Sequence, residues 1–124
     1  IEYHGLVSYE QDWVRFMTDE VDALLIPHRQ GDPSCTYLEG MGCALPFVSY
    51  DNDTARHLVT VSHAGWTAPL GDVRGLAERL LRLQDEPGAL AAAQDAALAF
   101  ARQHTFETEY ARRAEHLRSC GRGR

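Results

Sequence analysis

The stretch "GDPSCTYLEGMGCALP", positions 31–46, sets one carboxylate, Glu39, among small and apolar residues just after a loop-forming glycine, aspartate, proline and serine. Such residues make turns, so the chain is read as a loop over 27–34 feeding a helix around Glu39. The first amides of that helix, with Asp32, Pro33, Ser34, Cys35 and Thr36, are a natural place for phosphate oxygens. Equally, Asp32 followed by Pro33 is a cap with a first-turn proline. Glu39 is expected more than a turn inside the helix, where the dipole does little for a carboxylate. Facing solvent it needs nothing; facing a sheet it needs a hydrogen-bond partner, which a ribose diol supplies. Gly40 and Gly42 would let another backbone or a ligand come close. His28 and Arg29, early in this loop, lie beside the presumed cleft, within reach of phosphate or of solvent alone.

Such a loop must be delivered by strands. "VDALLIP" and "LPFVSYD" are compact apolar runs of the kind that lie buried in a parallel sheet, and "GWTAPL" and the opening "YHGLVS" suggest two more. Between them lie helical segments. Ser8 with Gln11 fits a capping box for "YEQDWVRFMTDE", whose buried face is marked by Trp13, Phe16 and Met17. Asp51 or Asn52 caps "NDTARHLV", and Asp72 caps "VRGLAERLLRLQ". Pro87 opens an alanine-rich helix, and Thr105 starts the last one, with Phe106, Tyr110 and Leu117 at helical spacing. Alternating strands and helices give an α/β, Rossmann-like three-layer domain: a mostly parallel sheet of about four strands and closing helices, over residues 1–119, with a flexible tail at 120–124. In such sheets ligands bind beyond the carboxyl ends of the strands, where the 27–34 loop stands.

Composition narrows the chemistry. With 124 residues, 44% of them hydrophobic, one domain with a core is expected. All twelve basic residues are arginine, which removes lysine Schiff bases, the P-loop cation and the lysine a phosphoacceptor receiver domain needs. A net charge of −6 makes a nucleic-acid backbone or an anionic membrane a poor partner. Three cysteines and six scattered histidines show no metal-ligand spacing, so no metal is expected and a reduced, cytoplasmic setting is. His63 with Trp66 is read as packing and exposed loop, and the arginines of the last helix as a solvated face or interdomain contact.

The order of the pieces resembles a family. "ALLIP", "GDPSC", "LEGMGCALPFV", "GWTAPLGD", "DEP" and "HTFETEY" follow, in sequence, the pattern of the C-terminal, donor-binding domain of GT-B-fold retaining glycosyltransferases of the group 1, or family 4-like, type. The resemblance implies a nucleoside-diphosphate sugar as donor, no cofactor, and an N-terminal acceptor-binding domain elsewhere in the same full-length chain. It implies that Glu39 holds the ribose hydroxyls, that residues 32–36 approach sugar and diphosphate, and that Gly5, Leu6 and Val7 line the base pocket. Two departures stand out. Gly31 occupies the position, eight residues before Glu39, where the family carries another glutamate. The arginine and lysine that the family sets on the diphosphate lie upstream of the pattern seen here, so the segment by itself is expected to be inactive. Two alternatives remain open: a non-catalytic domain with an assembly or regulatory role, and a sugar-nucleotide epimerase.

Overall fold

The computed structural model describes residues 2–8, 12–31 and 35–121. Its elements alternate: α1 (Val14–Asp19), β1 (Leu24–Ile26), α2 (Thr36–Gly42), β2 (Phe47–Tyr50), α3 (Asp53–Ser62), β3 (Gly65–Ala68), α4 (Val73–Asp85), α5 (Pro87–Gln103) and α6 (Phe106–Gly121). The strands form one parallel sheet in the order β1-β2-β3, with Ile26 opposite Ser49 and Tyr50 opposite Ala68. This is the expected Rossmann-like α/β arrangement.

Topology decides which face each helix covers. A parallel crossover is right-handed, so two successive steps in the same direction put their helices on the same side. Accordingly Tyr37 and Met41 of α2 and Ala55 of α3 meet Ile26, Phe47 and Ala97 of α5 in one cluster. On the other face, Leu76 and Leu83 of α4 close over Val48, Tyr50 and Ala68. β2, buried along its whole length, supplies both faces by simple alternation. Gly40 lets α2 seat on β1, because a methyl there would run into the Leu24 side chain; Gly42, by contrast, opens onto space.

One expectation is corrected. Among the described residues the sheet has three strands, not about four: "YHGLVS" is irregular, with Gly5 at φ +71° and Leu6 fully exposed. An apolar run becomes a strand only when a neighbour completes its ladder, and a left-handed residue interrupts the extended backbone a ladder needs. The regular part of the first helix is Val14–Asp19, and ahead of it the amides of Asp12 and Trp13 donate to the Ser8 carbonyl; Gln11 of the anticipated capping box lies outside the described residues. The last helix is Phe106–Gly121, and residues 122–124 of the anticipated tail lie outside the described residues.

Other starts agree with the sequence. The Asp72 carboxylate accepts from the Gly75 amide at 2.9 Å, and Pro87 occupies the first turn of α5. Met17 is buried on α1, with Trp13 and Phe16 half-buried beside it. α6 buries none of its residues; Phe106 and Tyr110 stack at 4.1 Å on its exposed side, with Arg113 over the Tyr110 ring.

Candidate functional site

The carboxyl ends of the three strands open onto the turns 27–31, 51–52 and 69–72. An open cleft of about 520 Å³ is lined there by Pro27, His28, Arg29, Gln30 and Gly31, large enough for a small ligand.

The 27–31 loop is pinned from below. Its keystone is Asn52, 5% exposed, whose side-chain oxygen accepts from the Ala55 amide and whose nitrogen donates to the His28 carbonyl, both at 2.9 Å. The choice between Asp51 and Asn52 as cap is settled by this double duty, since a carboxylate accepts but cannot donate. Asp51 instead binds Arg56, whose Nε lies 2.9 Å from its carboxylate. That hydrogen bond, and the attraction behind it, push the guanidinium pKa further up. Beneath the loop, the Ser49 hydroxyl donates to the Ile26 carbonyl at 2.7 Å and meets the Tyr37 hydroxyl at 3.3 Å. The buried polar groups at the base of the cleft thus satisfy one another.

Two groups above them do not. Glu39 stands in the first turn of α2, not more than a turn inside it, because the helix begins only at Thr36. Its carboxylate is half-buried and has no hydrogen bond or ion pair among the described residues. Its charge is felt one turn on: burial first, then Glu39, push the Cys43 thiol above its ordinary pKa. Arg29, exposed, likewise has no ion pair among the described residues. Its guanidinium lies 3.0 Å from where a Cβ would stand on Gly71.

Gly31 is the third point of interest. A Cβ built there comes within 3.0 Å of the Thr54 hydroxyl and 3.8 Å of the Asp53 Cβ, so the loop sits directly on the first turn of α3. Any larger residue at this position requires Thr54 to turn away.

Not every expected residue comes together here. Cys35 and Thr36 open α2, with Cys35 exposed; Asp32, Pro33 and Ser34 lie outside the described residues. Glu39 is not among the described residues lining the cleft. Residues 5–7 do not line it either: that segment runs beside α1, where the rings of His4 and Phe16 are 4.9 Å apart. His63, the left-handed C-cap of α3, precedes β3 at the opposite end of the sheet, and Trp66 packs into the second cluster. Asn52, Thr54 and Gly71 were missed as parts of the site. "GD" before a helix signals a tight turn at Gly71, but nothing local indicates that an arginine from another loop lies over it.

Comparison with known proteins agrees with this architecture in part. No family model matches the chain. Over 86 residues it is 34% identical to the amylovoran biosynthesis glycosyltransferase AmsK of Erwinia amylovora, a match that takes in 63% of this chain and 21% of AmsK. The chain therefore contains a glycosyltransferase-like region and spans about a fifth of that relative's length. Among the described residues, no helix is long and apolar enough to cross a membrane.

Proposed function

We propose that this chain is the donor-binding part of a GT-B-fold glycosyltransferase that moves a sugar from a nucleoside-diphosphate sugar to an acceptor with retention of configuration. The carrying observation is the 86-residue similarity to AmsK, a protein named as a glycosyltransferase. The parallel sheet with a cleft at its carboxyl edge supports it, being the place where such folds take nucleotides. In the reaction the bond between the anomeric carbon and the diphosphate oxygen breaks, a bond to the acceptor oxygen forms, and the acceptor's proton leaves. The diphosphate departs with added negative charge, which the protein must stabilise.

In this reading Glu39 accepts hydrogen bonds from the ribose hydroxyls, which explains a half-buried carboxylate that the described residues leave unpartnered. Residues 32–36 lie along the sugar and diphosphate, and His28 and Gly31 border them. An acceptor-binding domain of the same protein completes the cleft, no metal takes part, and the reaction runs in the cytoplasm.

A second reading has its own observation. Gly31 brings no carboxylate to the cleft, and the space a side chain would enter already abuts the Thr54 hydroxyl, which suits a domain retained for assembly without catalysis. The two readings separate when the full-length protein is offered nucleoside-diphosphate sugars with candidate acceptors. Sugar transfer with release of the nucleoside diphosphate is expected from the enzyme. Binding without release, or no binding, argues for the non-catalytic domain.

A further inference from the structure

Arg29 and Gly71 belong to loops that follow β1 and β3, which are not neighbours: β2 lies between them. Adjacent strands are about 4.8 Å apart, so the two loops start about 10 Å from one another. A contact between the Arg29 guanidinium and Gly71 therefore means that the arginine side chain spans the carboxyl edge of the sheet, across the end of β2. It lies along the floor of the crevice in which parallel α/β sheets take their ligands.

The turn below is shaped to accept it. Gly71 has φ +83° and no side chain, and a Cβ there would stand 3.0 Å from Arg29 Nη2. The loop that carries Arg29 is fixed through the buried Asn52, by its bond to the His28 carbonyl.

The charge of Arg29 is also unspent. Three carboxylates at the same edge are engaged elsewhere: Asp51 and Asp53 are bridged by Arg56, and Asp72 caps α4. A planar guanidinium with five donors, lining the cleft with no ion pair among the described residues, is matched to phosphate oxygens.

We infer that Arg29, spread across the end of β2 and seated on Gly71, is a further diphosphate-binding residue of this cleft. The inference rests on the nucleotide-sugar reading and adds a cation of this segment that faces the leaving diphosphate. The fit is bidentate, so lysine at this position serves only in part.

The test is titration calorimetry of the full-length protein with UDP, GDP and ADP, each beside its nucleoside. Melting curves establish that Arg29→Ala and Arg29→Lys fold, as expected for an exposed side chain. Arg29→Ala is expected to weaken the preferred nucleoside diphosphate about tenfold or more while leaving the nucleoside unchanged, with Arg29→Lys between the two. Unchanged diphosphate affinity, or equal losses for diphosphate and nucleoside, overturns the role of Arg29 and leaves the nucleotide reading intact. If the wild-type protein binds none of the three diphosphates, the nucleotide reading falls and Arg29's role falls with it.

Discussion

Two sets of polar groups lie within a few residues of each other at the carboxyl edge of this sheet, and they differ in how they are satisfied. Below the rim, Tyr37, Ser49 and Asn52 are buried and bonded to one another's surroundings: Ser49 to the Ile26 carbonyl, Asn52 to both the His28 carbonyl and the Ala55 amide. Nearby, Glu39 in the first turn of α2 and Arg29 in the lining of the cleft have no hydrogen bond or ion pair among the described residues. A buried polar group without a partner is costly, so folding selects the first arrangement. The second is tolerated at the surface and, in the proposed reading, meets a ligand. The difference separates what holds the cleft in shape from what the cleft is shaped to hold.

Substitutions should divide along the same line. The largest effect is expected from Asn52→Ala, which removes a helix cap and the hydrogen bond that Asn52 donates to the His28 carbonyl. Together these losses cost about 2 kcal/mol of stability, read as a lower midpoint in urea. Because His28 adjoins Arg29, the same variant should also weaken nucleoside diphosphate binding; full affinity in a destabilised Asn52→Ala would break the link between the two regions.

A smaller effect concerns Glu39 within α2. The Cys43 thiol is held above its ordinary pKa by burial and then by Glu39, so its thiolate forms only at higher pH than usual. At mildly alkaline pH, Cys43 should alkylate more slowly than the exposed Cys35 and Cys120. Glu39→Gln should bring its rate partway up. Peptide mapping after timed labelling reads both, and an unchanged Cys43 rate in Glu39→Gln would mean that the carboxylate is turned away.

The smallest effect lies far from the cleft, at the junction of α5 and α6. The His104 ring lies 2.9 Å from the Glu109 carboxylate, and Arg112 adds a second bond at 2.6 Å. The His104 hydrogen bond first, then the charge of Arg112, hold Glu109 below the usual carboxylate range. A carboxyl with a lower pKa folded than unfolded contributes stability above its unfolded pKa and loses it as pH falls through the folded one. Glu109→Gln should therefore lower the Tm by on the order of a degree or two near neutrality, and the two proteins should converge in acid. A constant difference across that range would contradict the pairing.

Much of this molecule was legible in its sequence because each signal was local. "ALLIP" and "FVSY" read as buried parallel strands, and Asp72 and Pro87 opened the helices they were expected to open. Where reading failed, the cause was non-local. "YHGLVS" has the apolar content of a strand, but residues 2–8 form no ladder and Gly5 turns left-handed. Asp51 and Asn52 are equivalent as caps until the His28 carbonyl appears opposite one of them. The same holds for the site: Glu39 was visible through resemblance to a family. The seat of Arg29 on Gly71 was not, since it requires knowing that β1 and β3 flank β2 and bring two distant loops to one edge. Gly31 was noticed for the glutamate it replaces, and the structure adds the close fit against Thr54.

The central claim is that Glu39 is there for a ribose. Its most direct measurement is the affinity of the full-length protein for its preferred nucleoside diphosphate and for the 2′-deoxy form of that ligand, in the wild type and in Glu39→Ala. The account predicts that the wild type prefers the ribonucleotide by about tenfold, as a charge-assisted hydrogen bond allows, and that Glu39→Ala binds both forms equally weakly. A Glu39→Ala protein that keeps both the affinity and the preference would contradict it.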